Sequence, residues 1–393
     1  MQLFFWLLVF FVVYAYFGYP LVLVLLNKLL PYIRKNQTIS EIAISEWPTV
    51  DLLIAAYNEG KIIEAKILNA ISLDYPIDKY NIYIASDGST DQTNDIVKKL
   101  AKQYHNVHLL EFPRTGKSGI LNAAIKSLKG DIVVFSDANT EYANDSIKKL
   151  VSNFARTCVG CVCGRLIYRN PGQVVSGVGE SFYWRYETTL KKLESNIGYI
   201  AGANGAIYAI RRKLFTPFPK NTINDDFTLS MKIVANGHRS IYDDTAIGYE
   251  DVAPSMESEF KRHVRDGAGH YIAIIHLLKL LNPLLGIRSF IYCSHRIIRW
   301  AIPFLLIILV YINYQLIESP LYEFIFYSQL AFYSIALLGW GLSLFMKLPF
   351  IVYIPFYFCN LNLALLVGFF KAVSGTQKAK WESTERATIV QTS

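Results

Sequence analysis

The chain opens on an unbroken apolar run, with no charged residue from 3 to 26. About 24 residues suffice to cross the ~30 Å hydrocarbon core of a bilayer as one helix. A secretory signal would show a basic start, a shorter apolar core and a small-residue cleavage site. The run has none of these and reads as an anchor. From Pro48 the pattern changes to short apolar runs separated by amphipathic stretches of helix length. VDLLIAA at 50–56, NIYIAS at 81–86, VHLLEF at 107–112 and IVVFS at 132–136 read as strands. Strands alternating with helices predict a doubly wound α/β sheet. Cys158, Cys161 and Cys163 form a tight cluster in which Val159, Cys161 and Cys163 alternate with glycine and valine and predict a further buried strand, free cysteine being among the most buried residue types. A zinc site would need a fourth ligand, and no matching pair follows.

Past the middle the apolar signal returns. Residues 271–285 interleave apolar positions with His276 and Lys279, which predicts amphipathic helices lying in the membrane interface up to about residue 300. His295, Arg296, Arg299 and Trp300 mark the next boundary. Apolar stretches follow at 301–317, 321–345 and 349–370. The last holds Pro349, Pro355, Asn360 and Asn362, which cost free energy in lipid unless they face protein, so it is expected to be broken or partly buried. The expected organisation is an anchor over 1–30, an α/β domain over 48–270, interfacial helices over 271–300, a transmembrane region over 301–371 and a tail over 372–393.

Composition sharpens this reading in two respects. The formal charge of +8 would suit nucleic acid, but the Lys and Arg residues flank apolar stretches and form no stripe with interleaved aromatics. An anionic membrane surface is the better partner. Five scattered cysteines argue against a disulfide framework and suit a reducing cytoplasm. Lys28, Arg34 and Lys35 follow the anchor, so the positive-inside rule places the amino terminus outside and the α/β domain in the cytoplasm. The sequons at Asn36 and Asn144 would then stay unmodified. Three further crossings would leave the tail outside, whereas Lys371, Lys378, Lys380 and Arg386 favour the inside. The tail is expected in the cytoplasm, with one apolar stretch re-entrant or interfacial.

The chemistry sits at the strand ends. Asp137 closes the fourth strand with Asn139 two residues on, at the edge where open α/β sheets bind ligands. A carboxylate with a second oxygen ligand suits a hard divalent cation held against a diphosphate. Tyr57, Asn58 and Glu59 follow the first strand, Asp87 to Ser89 the second, and Arg114 to Lys117 the third. Each cluster alone has a duller explanation as a turn, and Asp91 as a helix cap. Four at successive strand ends converge on one crevice. No G-x-G-x-x-G follows the first strand, which counts against a dinucleotide oxidoreductase. Further on, GYIAGANGAIYAIRR at 198–212 offers bare backbone beside Asn204, an amide that both donates and accepts. Asn224, Asp225 and Asp226 open a helical run, where one carboxylate would cap the helix and the other serve as a general base.

VDLLIAAYNEG, IASDGSTDQT, RTGKSGILNAAI, FSDANT, AGANGAIYAIR and NDDFTLSMKI resemble the ordered motifs of membrane-bound family-2 glycosyltransferases, a group that includes hyaluronan, chitin, cellulose and poly-N-acetylglucosamine synthases. The resemblance covers residues 49–265 and implies a GT-A fold, inverting transfer from a UDP-sugar, and Mg2+ or Mn2+ as cofactor. It implies donor binding by Tyr57, Glu59, Asp87, Lys117, Asp137 and Arg262, and metal binding by Asp137 and Asn139. It also implies acceptor contacts at Gly202 and Asn204, and Asp226 as base beside Asp225. The acceptor would be a glycan or lipid-linked hydroxyl. Most relatives carry an aspartate where this chain has Asn139; an amide oxygen still ligates a cation but neutralises no charge. The relatives' Gln and Trp around Arg262 are replaced by Glu259 and His263, which weakens the case for processive extension. Residues 381–386 resemble a terminal segment that stays with the catalytic domain. Two other classes remain: a scaffold that has lost its metal, kept open by Asn139, and a transporter with a nucleotide-sensing domain. No patterned intramembrane charge supports the transporter. The enzyme reading requires Asp226 within about 15 Å of Asp137.

Overall fold

The computed structural model describes residues 1–33, 46–169, 176–251, 256–343, 345–346 and 348–377, with backbone alone for 30–33 and 176–183. Arg34, Lys35, the Asn36 sequon and residues 378–393 of the tail lie outside the described residues. One eight-stranded sheet organises the middle of the chain. Its strands are β1 (Val50–Ala56), β2 (Tyr80–Asp87), β3 (Val107–Phe112), β4 (Ile132–Asp137), β5 (Glu141–Tyr142), β6 (Val159–Arg169), β7 (Tyr208–Arg211) and β8 (Arg239–Asp251). Their order is β3-β2-β1-β4-β7-β6-β8-β5.

The four strands expected from the first half pair in parallel. Every residue of β1 is buried, which is why it reads as a continuous apolar run. Its one charge, Asp51, is compensated: the carboxylate accepts the backbone N–H groups of Lys129 (2.8 Å) and Gly130 (2.6 Å). Beyond β4 the sheet departs from the doubly wound pattern and becomes mixed. β7 runs antiparallel between β4 and β6, and β6 pairs in parallel with the long β8. Cys161 and Cys163 lie fully buried on β6, as the alternation predicted. All five cysteines are free thiols.

Among the described residues four helices are long and apolar enough to cross a membrane: Gln2–Leu29, Ile287–Tyr314, Pro320–Leu342 and Phe350–Val373. The second begins inside the stretch expected to lie in the interface. His295, Arg296 and Arg299, which read as a boundary, are met by Glu187 and Glu194, so the helix continues past them. The helix Met256–His276 likewise runs uninterrupted across the expected domain limit at 270. Phe350–Val373 is unbroken through Pro355, and Pro355 and Asn362 are buried against protein. The first two apolar helices each contain one wide π turn, Tyr14–Gly18 and Cys293–Ile297. These turns meet, with the Tyr14 hydroxyl 2.8 Å from the Ser294 hydroxyl.

Candidate active site

The loops at the carboxyl edge of β1 and β2 clasp each other. Asn58 adopts φ of 54°, its amide N–H donates to the Ser89 hydroxyl (3.1 Å), and its side-chain oxygen accepts the Thr90 N–H (2.8 Å). Asp91 accepts the N–H groups of Gly60 (2.9 Å) and Thr93 (3.0 Å), while Gln92 occupies the N-cap of the next helix. Asp87 is fully buried at the end of β2. Its carboxylate accepts the N–H groups of Thr115 (2.7 Å) and Gly116 (3.0 Å) and pairs with Arg114. The Arg114 guanidinium stacks 3.3 Å from the centroid of the Tyr57 ring. Asp87 therefore shapes the turn after β3, and that turn needs the left-handed φ of 88° at Gly116.

The same turn starts the helix Lys117–Ala124 and aims Lys117 into the crevice. Its ammonium lies 2.7 Å from Asp137 Oδ1 and 3.6 Å from Asp225 Oδ1, bridging β4 to the helix Asp225–Ala235. A side chain at Gly205 would fall 3.3 Å from Asp226 Oδ2 and 3.6 Å from Lys117 Nζ, so Asp226 and Lys117 face each other across this bare position. Asp137, Lys117, Asp225 and Asp226 thus share one hollow, as the enzyme reading requires. Asn224, and neither aspartate, occupies the N-cap; Asp226 Oδ1 accepts the Phe227 N–H at 2.7 Å.

Burial raises the pKa of Asp225, with Lys117 opposing it and Asp137 adding to it. Burial and then the Asp225 charge push Asp226 up to about 7, against the pull of Lys117. Burial alone would lower Lys117, but the surrounding carboxylates raise it above its ordinary value. One permanent cation therefore faces three carboxyl groups, one of which is poised near neutrality.

Asp226 and Asn204 also line a cavity of about 750 Å³ that extends among the apolar helices. Arg262 and His263 lie in its wall, and the Arg262 guanidinium reaches Tyr168 Oη at 3.5 Å. Arg262 is thus placed on the cavity side of Asp226. Glu259 is buried behind it and accepts a hydrogen bond from the Tyr357 hydroxyl at 3.1 Å. Gly202 is absent from the lining: a Cβ there would come 2.6 Å from the Phe227 ring, and its φ is 110°. Gly205 is likewise absent from the lining, and its bare backbone lies between Asp226 and Lys117.

Several lining residues escaped sequence reading. Trp300 stacks on His270 with ring centroids 4.8 Å apart, and both pack on Phe227, the neighbour of Asp226. Trp184 lies in the same wall. Burial lowers His270 to about 3, so it is a neutral ring at physiological pH. Glu187 is buried yet held well below the usual carboxylate range by Arg299 and His295. No short motif announces these residues, because they arrive from separate helices.

Among the described residues no three His, Cys, Asp or Glu side chains form a ready-made metal cage. The donor set still fits a hard divalent cation that takes most of its ligands from a substrate diphosphate. Asp137 ends β4 and Asn139 follows it at the crevice, and the fully buried Asp225 Oδ2 has no hydrogen-bond partner among the described residues. An excess of carboxylate over Lys117 favours a cation there.

Residues 51–215 match the model of glycosyl transferase family 2, so this part of the chain is similar to that family. The beta-monoglucosyldiacylglycerol synthase of Nostoc sp. is 29% identical over 192 residues, 47% of this chain and 41% of that protein. The poly-beta-1,6-N-acetyl-D-glucosamine synthase of Staphylococcus aureus is 24% identical over 239 residues, 60% of this chain and 58% of that protein. The match therefore spans between two fifths and three fifths of these relatives' length. Among solved structures, mannosyltransferase PcManGT from Pyrobaculum calidifontis, in complex with GDP-Man and Mn2+, aligns with a TM-score of 0.67 at 22% identity. The alignment covers 93% of this chain and 97% of that one. The shared architecture is a GT-A-like mixed sheet flanked by helices.

Proposed function

We propose that the protein is an inverting, metal-dependent transferase that moves a sugar from a UDP-sugar to a hydroxyl of a polysaccharide or lipid-linked acceptor at the cytoplasmic membrane face. The observation that carries this reading is Asp226. It is a buried carboxyl group raised to about 7, facing Lys117 and lining a cavity that runs into the apolar helices.

In this reading Tyr57, Glu59 and Asp87 hold the nucleoside, Asp87 acting through the turn it shapes. Lys117 and Asp137 sit at the diphosphate. Asp226 takes the proton of the acceptor hydroxyl as its oxygen attacks the anomeric carbon. The carbon–oxygen bond to the diphosphate breaks with its electron pair, and UDP leaves from the opposite face. A positioned base contributes about 10²- to 10⁴-fold. Asp225, raised and neighbouring, keeps Asp226 basic. Mg2+ or Mn2+ held by Asp137 and Asn139 would neutralise charge on the departing phosphates. Arg262, expected at the donor diphosphate, is assigned to the acceptor side in this reading because it lines the cavity with Asn204, which orients the acceptor, while Gly202 keeps the Asn204 loop close to Phe227.

The integral-membrane assignment draws support from the four apolar helices and from the basic residues beside them. Purified protein should release UDP from UDP-glucose or UDP-N-acetylglucosamine only when Mg2+ or Mn2+ is present. Metal-independent release, or none from any UDP-sugar, would overturn the proposal and favour the scaffold or transporter class.

A further inference from the structure

The cavity beside Asp226 has two unlike ends. Near the sheet it is walled by Asp226, Asn204, Arg262 and His263. At the other end it lies between the N-terminal helix and the helix Phe350–Val373, where the walls include Val13, Phe17, Phe350 and Ile354. These four line the cavity and are also turned outward, with exposures of 51%, 75%, 66% and 45%. A wall residue that is both cavity-lining and exposed marks a mouth. Because both helices are apolar, this mouth opens sideways into hydrocarbon and away from water. The two helices touch at Tyr16, whose ring meets Phe358 at 5.4 Å. Deeper in, Asn362 lies in the wall 95% buried by its 5% exposure, and its side-chain oxygen has no partner among the described residues. An unpaired amide oxygen at such a site costs free energy unless a ligand supplies a donor.

We propose that the acceptor is a membrane lipid with a hydroxylated head group, entering laterally between the N-terminal helix and Phe350–Val373 and presenting its hydroxyl to Asp226. This rests on the transfer reading above. The apolar mouth takes the hydrocarbon chains, whose burial needs no polar partner. The head group crosses the region of Asn362 and Arg299 and stacks against Trp300. A hydrated glycan would have to shed its water at an apolar entrance, which argues against it.

The test uses the full chain reconstituted in lipid vesicles containing a diacylglycerol with a diazirine in its acyl chain. After irradiation, peptide mapping should find label on residues 12–17 and 354–365, competed by unlabelled dioleoylglycerol. Ile354→Trp, at a half-exposed position, should reduce that label about tenfold by filling the mouth. Leu337→Trp, on an exposed face of Pro320–Leu342 away from the cavity, should leave it unchanged. Label spread evenly over all apolar helices, or insensitive to Ile354→Trp, would overturn the lipid site. In parallel, sugar from labelled UDP-glucose or UDP-N-acetylglucosamine should appear in chloroform–methanol extracts. A water-soluble polymer as sole product would overturn the lipid acceptor while leaving the transfer reading intact. Absence of metal-dependent donor turnover alongside specific cross-linking would instead remove the transfer reading and keep the lipid site.

Discussion

At the scale of single residues, Asp226 carries the sharpest consequences. Its carboxyl is raised from 3.8 to about 7, chiefly by burial and then by Asp225. Below pH 4 folded and unfolded chains both carry the proton, and the group has no effect on stability. As pH rises through about 7, the folded state must ionise a group that the unfolded chain ionised earlier. Stability is therefore lost across that window and stays lost above it. Asp226→Asn removes the penalty, so thermal unfolding at pH 8 should occur at a higher temperature, by on the order of 1–2 kcal/mol of stability, with a much smaller gain at pH 4. The same substitution should lower transfer by about 10²-fold or more while donor affinity changes less than about threefold. Calorimetric titration with UDP beside an incorporation assay separates the two effects, and normal transfer in the variant would remove Asp226 from the base role. For the wild-type protein, initial rates should fall towards tenfold per pH unit below about 7, as the base becomes protonated. A rate flat down to pH 5 would contradict that assignment.

At the scale of elements, the helix Ile63–Ile71 fixes the loop that bears Asp137 and Asn139. Lys66 is 96% buried by its 4% exposure and donates to Ser136 Oγ (2.8 Å) and the Thr140 carbonyl (2.5 Å). Three residues on, the Asn69 side chain bonds both the carbonyl (2.9 Å) and the N–H (2.8 Å) of Tyr142. One helix face thus clamps both ends of the turn. Lys66→Met should raise the Mn2+ concentration for half-maximal activity about tenfold, a shift of ~1.4 kcal/mol. Manganese binding followed by electron paramagnetic resonance, with circular dichroism to confirm the fold, would check this; unchanged affinity would mean the loop holds its shape unaided. Lys66 was illegible in the sequence because a lysine on an amphipathic helix ordinarily points to water. The strands β1 to β4 were legible because buried parallel strands must be continuously apolar, and the polar groups at their ends stood out against that background. The reversal at β7 was not, since strand direction depends on distant partners. Nor was the helix through His295 to Arg299, whose charges read as a boundary until Glu187 and Glu194 are seen to compensate them.

At the scale of the whole molecule, the open question of sidedness turns on how Phe350–Val373 lies. Its residues meet those of Met256–His276 at a constant separation of 98 positions: Tyr357 with Glu259, Leu365 with Gly267, and Phe369 with Tyr271. The two helices therefore run side by side in the same direction. Gly368 makes the contact close, since a Cβ there would fall 2.7 Å from the Ala268 nitrogen. Met256–His276 continues directly from the catalytic sheet and carries the exposed pair Lys261 and Glu257, which belongs at a water-facing surface. We propose that a helix held in register beside it shares its depth, so that Phe350–Val373 lies in the interface although it is long enough to cross. On that proposal three crossings would remain, by Gln2–Leu29, Ile287–Tyr314 and Pro320–Leu342, and the tail would lie on the side of the α/β domain, as its basic residues favour. A fluorescent protein fused after Ser393 should fold and emit, whereas alkaline phosphatase fused at the same point should be inactive. Active phosphatase would require a fourth crossing, by Phe350–Val373, and would overturn its interfacial placement.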